Sequence, residues 1–208
     1  MAQEKYDGDY WDSLWSRTIE QQAEKVALRE PHSYLTEIAA ELPPGCALDA
    51  GCGHGVETRW LVARGWKVKA VDFSLTALEY GKAAARDDGD AISDRIEWVQ
   101  VDLGGWTPEP AKFDLVVSLY VHIAGQVAGM VERLAEGVMP GGTLLMVGHR
   151  PIDPTTGAKT SAADQNQVSV EAAKTVLAPP EWELKVAEER PRAHGQGVDA
   201  VILARRNN

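Results

Sequence analysis

Three glycines alternate at positions 51, 53 and 55 in the run Asp49-Ala50-Gly51-Cys52-Gly53-His54-Gly55, with an aspartate two residues before the first. Glycine lets a backbone turn tightly and approach a ligand closely, because no Cβ stands between them. A dinucleotide pyrophosphate fingerprint has its third glycine three positions after the second, and here that position is Val56. The charge of Asp49 would repel a pyrophosphate and attract a sulfonium group that also carries an ammonium. Two more acids follow apolar runs: Asp72 after Lys67–Val71, and Asp102 after Ile96–Val101. A carboxylate at the end of a strand can accept hydrogen bonds from both hydroxyls of a ribose, and such bonds are charge-assisted. The competing readings are a charge favourable to the next helix dipole for Asp72 and a simple turn residue for Asp102.

The elements that would position these residues alternate along the chain. Residues 9–28 read as a helix with Tyr10, Trp11, Leu14 and Trp15 close together. A second helix over about 32–42 stops at Pro43-Pro44-Gly45. From there short apolar runs alternate with amphipathic stretches, which argues for βα units around a mainly parallel sheet. Strands are expected at 46–50, 67–71, 96–101, 113–119 and 143–147. Val56, Trp60 and Ala63 should give the helix after the glycine loop one buried face. Ser74 should cap the following helix, with Leu75, Leu78 and Ala85 inward. Val127, Val131, Leu134 and Val138 mark a further helix, ended by Met139-Pro140-Gly141-Gly142. Residues 150–167 are polar and rich in turn formers. A helix near 169–177 and two strands near 182–190 and 198–205 close the chain, with Gly195-Gln196-Gly197 as the hairpin turn.

These motifs resemble those of the class I methyltransferases that use S-adenosylmethionine (SAM). ALDAGCGHG looks like their first motif and VKAVDFS like their second. VQVDL, FDLVVSLYVHI and MPGGTLLMVGHR follow in the family's order, so the resemblance covers about residues 45–150. It implies an α/β fold: a doubly wound, Rossmann-like, seven-stranded and mostly parallel sheet with a reversed last strand and helices on both faces. Residues 1–44 would form a helical cap, 45–150 the SAM-binding core, and 151–208 a loop, helix and closing hairpin of one domain. The implied cofactor-binding residues are Asp49, Gly51, Cys52, Gly53, Gly55, Asp72, Phe73, Ser74, Asp102, Leu103, Ser118 and Tyr120. S-adenosylhomocysteine would be the product, and no metal is expected. YWDSLW, LDAGCGHG, VDFS and GGTLLMVGHR look most like small bacterial methyltransferases of the tellurite-resistance and thiopurine type, which act on soft sulfur, selenium or tellurium nucleophiles. The His-Arg cluster of the tellurite-resistance enzymes has only RPRAH as a counterpart here, differently spaced.

Methyl transfer starts from a good leaving group, so positioning can do most of the catalysis, and a base matters only when the acceptor must shed a proton. His122 and His149 are the candidate bases, each with packing or hydrogen bonding as its alternative role. Tyr120 either lines the cofactor pocket or packs. Arg150 would suit an anionic acceptor, and Arg190, Arg192 and His194 could reach the same mouth. His54 reads as a loop residue with its ring outward. The aromatic residues Tyr6, Tyr10, Trp11 and Trp15 either cover the cofactor, with a ring face near the sulfonium, or pack on the flank of the sheet; Tyr10, Trp11 and Trp15 are the candidate substrate contacts, with Arg150.

The bulk properties set limits. The 208 residues suffice to bury a core without metals or disulfides. A formal charge of −10, from 31 acidic and 21 basic residues and with no basic run, counts against a nucleic-acid partner and for a small-molecule acceptor. No stretch reaches the roughly 20 apolar residues that span a bilayer, and no signal peptide is evident, so a membrane role is not expected. Two cysteines, Cys46 and Cys52, suit a reducing, cytoplasmic setting. Two other classes stay open: an NAD(P)-dependent oxidoreductase of related topology, and a SAM-binding protein without catalysis. Oligomeric state has no signature in the sequence.

Overall fold

The computed structural model describes residues 8–123, 125–152, 156–159, 166–192 and 197–208. Tyr6, His194, Gly195 and Gln196, and part of the polar 150–167 segment, lie outside the described residues. Among the described residues seven strands form a mixed sheet, lying side by side in the chain order third, second, first, fourth, fifth, seventh and sixth. The chain divides into two compact units, Met1–Leu103 and Gly104–Asn208.

In the first unit α1 (Gly8–Ala27) and α2 (Ser33–Ala39) precede β1 (Cys46–Ala50), α3 (Val56–Val62), β2 (Lys67–Asp72), α4 (Leu75–Asp87), α5 (Asp90–Ser93) and β3 (Ile96–Gln100). β1 pairs with β2, and β2 with β3, all parallel. The interior of β1 and β2 is apolar because helices cover such strands: Ala47, Leu48, Ala70 and Val71 are fully buried. α1 carries a break at Gln22, whose backbone is non-helical. α2 is shorter than the expected 32–42, and the four-residue α5 had no counterpart in the sequence reading.

Two predicted faces are corrected. On α3 the buried side is Val56, Glu57, Thr58, Leu61 and Val62, while Ala63 is exposed and Trp60 only half-buried. Trp60 can lie outside because the Arg64 guanidinium covers its ring at 3.7 Å. On α4 Leu78 and Ala85 are buried as expected, but Leu75 is 48% exposed. Leu75 is the first residue after the cap, where the helix has only begun to face the sheet. Ser74 does cap α4, its hydroxyl accepting from Ala77 N–H at 3.1 Å.

The second unit holds β4 (Phe113–Leu119), α6 (Val127–Glu136), β5 (Val138–His149), α7 (Val170–Val176), β6 (Trp182–Pro191) and β7 (Val198–Arg206). β4 and β5 are parallel; β7 runs antiparallel to both β5 and β6, which is the expected reversed strand. Val138 does not belong to the α6 stripe but opens β5, which runs through Pro140 and Gly141 instead of starting at 143. The register against β4 slips there, from Phe113↔Val138 to Leu115↔Thr143. A bulge at a proline and at a glycine with φ +78° lets the strand begin five residues earlier. Ser169 caps α7 through Ala172 N–H.

Candidate functional site

The glycine loop leaves β1 and enters α3. Gly51, Gly53 and Gly55 all have positive φ (85°, 52° and 74°), so the loop is built from conformations that side chains rarely adopt. Its space is tight as well. A Cβ on Gly53 would stand 2.7 Å from the Trp15 indole, and one on Gly55 would overlap the Trp98 ring. The Gly55 requirement is thus met by packing on Trp98 within the unit. Trp15 lies against Gly53, and its ring is 5.1 Å from that of His54. The aromatic N-terminal helix therefore rests on the glycine loop.

Asp12 explains why α1 sits there. Its carboxylate accepts from Ser74 Oγ (2.7 Å), Thr76 N–H (2.9 Å) and Thr76 Oγ1 (2.9 Å), at the first turn of α4. A carboxylate at the positive end of a helix is favourable. The Thr76 amide first, then the Ser74 hydroxyl, hold the Asp12 carboxyl below its ordinary value. The sequence reading passed over Asp12, because its partners are more than sixty positions away.

Asp72 ends β2 and turns back to the loop. Its Oδ2 accepts from Gly53 N–H at 2.8 Å and its Oδ1 from Ser74 N–H at 2.9 Å. Burial raises its carboxyl, against the pull of the Ser74 and Gly53 amides. An ionised carboxylate offers about four acceptor positions, so one acceptor position per oxygen is left for a diol. Phe73 and Ser74 follow directly, and Ser74 is fully buried.

Asp49 is buried behind the loop at 3% exposure, and its Oδ2 accepts from Thr58 Oγ1 at 2.6 Å. Burial, and then the nearby Glu57, lift its carboxyl from 3.8 to about 7. Glu57 is raised too, chiefly by burial; its Oε1 accepts from His32 N–H at 3.2 Å. The Cys52 thiol is pushed well up by burial, so it is a neutral packing group. His54 does not point outward as expected: it is 3% exposed, with its ring near Trp15 and Tyr80. Burial first, then Arg29, lowers its pKa to about 4, and a neutral ring can lie among aromatics. Leu103 is buried, whereas Asp102 is exposed beyond the end of β3. Tyr10 and Trp11 contact each other edge to face at 5.2 Å.

The second unit gathers a different group. His149 is the last residue of β5 and faces Asp199 in the antiparallel register with β7. Residues directly opposite one another project to the same face, and His149 Nδ1 lies 2.8 Å from Asp199 Oδ1. Tyr120 donates its hydroxyl to Asp199 Oδ2 at 3.0 Å, and Arg192 Nε donates to Oδ1 at 3.1 Å. Tyr120 takes a positive φ of 56° after β4, its amide donating to Val147 O at 2.7 Å, and its ring lies 4.2 Å from the His149 ring. Burial alone would raise the Asp199 carboxyl; the bonds from His149, Tyr120 and Arg192 outweigh it and hold the pKa low. The His149 amide donates to the buried Gln167 side chain at 2.8 Å. His122 is held neutral, its pKa lowered to about 4 by burial and then by His149. Ser118 is buried within β4.

Arg150 pairs with Glu189 at 2.6 Å and more distantly with Glu171 at 3.8 Å. Arg190 pairs with Glu188. Of the basic residues considered for that mouth, Arg192 joins the His149 group, and His194 lies outside the described residues. Asp199 was missed, because its partners Tyr120 and His149 lie 79 and 50 positions away in the chain. Among the described residues, no group of three or more His, Cys, Asp or Glu could hold a metal ion, and no helix is long and apolar enough to cross a membrane.

Residues 47–142, which contain the glycine loop, Asp72 and β4, match the methyltransferase domain family. The fold of the chain is that of the class I SAM-dependent methyltransferases. A SAM-dependent methyltransferase from Mesorhizobium loti has a TM-score of 0.64 at 21% identity, covering 82% of this chain and 96% of that one. Geranyl diphosphate C-methyltransferase from Streptomyces coelicolor has a TM-score of 0.66 at 13% identity, covering 95% and 84%. In sequence, the chain is 31% identical over 140 residues to a trans-aconitate 2-methyltransferase of Paracidovorax citrulli, which covers 62% of this chain and 48% of the relative. It is also 32% identical over 117 residues to a ribosomal RNA small subunit methyltransferase C of Alcanivorax borkumensis, covering 52% and 34%. The chain thus spans less than half the length of these two curated relatives.

Proposed function

We propose that this chain transfers a methyl group from SAM to a small-molecule acceptor, releasing S-adenosylhomocysteine. The observation that carries the proposal is the bond from Gly53 N–H to Asp72 Oδ2, which ties a left-handed glycine loop to a strand-end carboxylate with acceptor capacity to spare. Asp72 would hold the ribose hydroxyls, and the loop from Asp49 through Gly51, Cys52 and Gly53 to Gly55 would carry the amino-acid part. Phe73, Ser74, Asp102 and Leu103 would surround the adenine side, and Ser118 in β4 and Tyr120 just after it are the remaining proposed cofactor contacts. When bound, SAM supplies an electrophilic methyl group on a positive sulfur; the residues named bind it and orient it.

The proteins named above are methyltransferases named for widely different acceptors: trans-aconitate, geranyl diphosphate and ribosomal RNA. Net charge of −10 favours a small acceptor over RNA. A soft sulfur, selenium or tellurium nucleophile is the finer reading, with Tyr10, Trp11, Trp15 and Arg150 on the acceptor side. The organisation proposed with it is one cytoplasmic domain: a cap at 1–44, a core at 45–150 and a closing segment at 151–208. Incubation with SAM and a panel of thiols, metalloid oxyanions, phenols and carboxylic acids tests this, reading formation of S-adenosylhomocysteine. Acceptor-dependent product supports it. Product formed only with ribosomal RNA would overturn the small-molecule acceptor.

A further inference from the structure

The group around Asp199 has more organisation than packing requires. Three side chains converge on a carboxylate that is 2% exposed: His149, Tyr120 and Arg192 bond to it, and the His149 side chain keeps partial exposure. Asp199 stays ionised, since its three hydrogen bonds outweigh the effect of burial. An ionised carboxylate only accepts, so the proton of the shared bond belongs to His149 Nδ1. In the neutral ring the other nitrogen, Nε2, presents a lone pair. Among the described residues none hydrogen-bonds Nε2, and the His149 side chain is 26% exposed. The ring is clamped on its other sides: its amide is tied to Gln167, and Tyr120 lies across its face at 4.2 Å. A hydrogen-bonded carboxylate that fixes the tautomer and orientation of an imidazole is the arrangement that makes histidine a base.

The strand geometry fits the same role. His149 closes β5 at its carboxyl end, and open α/β sheets bind ligands beyond the carboxyl ends of their strands. His122 is a poorer base, because burial and His149 lower its pKa to about 4.

We infer that His149 and Asp199 form a proton-accepting pair and that the methyl acceptor is protic, a thiol or a hydroxyl compound. This rests on the methyl transfer proposed above. The acceptor's X–H bond breaks, its proton goes to His149 Nε2, and its electron pair stays on X. That pair forms the bond to the methyl carbon as the carbon–sulfur pair leaves with sulfur. The imidazolium afterwards gives its proton to water. His149 is the base; Asp199 and Tyr120 are positioning residues.

The first test needs no acceptor. Nitrogen-15 NMR of the His149 imidazole in the ligand-free protein should show Nδ1 protonated and Nε2 unprotonated. Asp199→Asn should abolish that preference while the protein stays folded by circular dichroism, and Tyr120→Phe should leave it intact. A neutral His149 ring with its proton on Nε2 in the parent protein overturns the pair, whatever the acceptor proves to be. The second test compares His149→Gln and Asp199→Asn with the parent on thiol and phenol acceptors. General-base catalysis is worth roughly 100- to 10,000-fold, so both variants should lose at least about 100-fold in turnover with unchanged S-adenosylhomocysteine affinity. Thiol-only or phenol-only turnover decides which protic acceptor is used. Turnover retained by His149→Gln overturns the inference; failure of the parent to bind S-adenosylhomocysteine overturns the methyltransferase reading instead.

Discussion

Asp49→Asn separates the stability of the glycine loop from its function. In the folded chain Asp49 is buried, with Thr58 Oγ1 its hydroxyl donor, and its carboxyl is raised from 3.8 to about 7 by burial and then by Glu57. A carboxyl raised by folding contributes its full stability below the unfolded value near 3.8. That contribution is lost as pH rises through about 7, because the folded protein must then hold a buried anion. At about 1.4 kcal/mol for each pKa unit, the ceiling on that loss is about 4 kcal/mol by pH 8. Asparagine is the same size, carries no charge, and its side-chain oxygen can still accept from Thr58. Urea denaturation of parent and variant at pH 4.5 and pH 8 reads the difference directly, since other titrating groups are common to both. The variant should exceed the parent by about 2–4 kcal/mol at pH 8 and lie within about 1 kcal/mol of it at pH 4.5. Equal differences at the two pH values, or a variant less stable at pH 8, would refute the reasoning. The same charge should serve the ligand: a cation beside Asp49 favours its ionised form, so SAM affinity in the parent should weaken as pH falls below 7.

Asp72→Asn should weaken SAM binding tenfold or more in a calorimetric titration while leaving the circular dichroism spectrum unchanged, a loss of about 1.5–3 kcal/mol for a charged hydrogen-bond partner; unchanged affinity would remove Asp72 from the ribose site. Asp12→Ala deletes the acceptor of three hydrogen bonds at the start of α4. It should cost about 1 kcal/mol and speed hydrogen exchange across residues 8–27 several-fold; exchange at the parent rate would show that α1 is held otherwise. Gly53→Ala meets both a φ of +52° and the Trp15 ring at 2.7 Å. It should destabilise by about 1–3 kcal/mol, and Trp15→Ala in the same chain should recover part of that loss; strict additivity of the two changes would argue against the contact.

Much of this architecture was legible because it rests on local signals. Proline and glycine punctuated the βα alternation, Ser74 and Ser169 lie where caps are needed, and the glycine loop has the left-handed conformations that its composition demands. Errors arose where tertiary packing overrode periodicity. Trp60 has helical spacing from Val56 but lies under Arg64 on the surface, and Val138 continues the α6 stripe yet opens β5 through a bulge. Site residues divided the same way. The position of Asp72 at the end of β2 was readable from the apolar run before it. The inward turn of His54, the Asp12 cap and the Asp199 group depend on residues distant in sequence, and no local pattern encodes such pairs.

The most direct test of the central claim is isothermal titration of the protein with SAM and with S-adenosylhomocysteine, and separately with NADH. The account predicts one-site binding of both adenosyl compounds at micromolar concentrations and no heat with NADH. Heat with NADH, and none with either adenosyl compound, would contradict it.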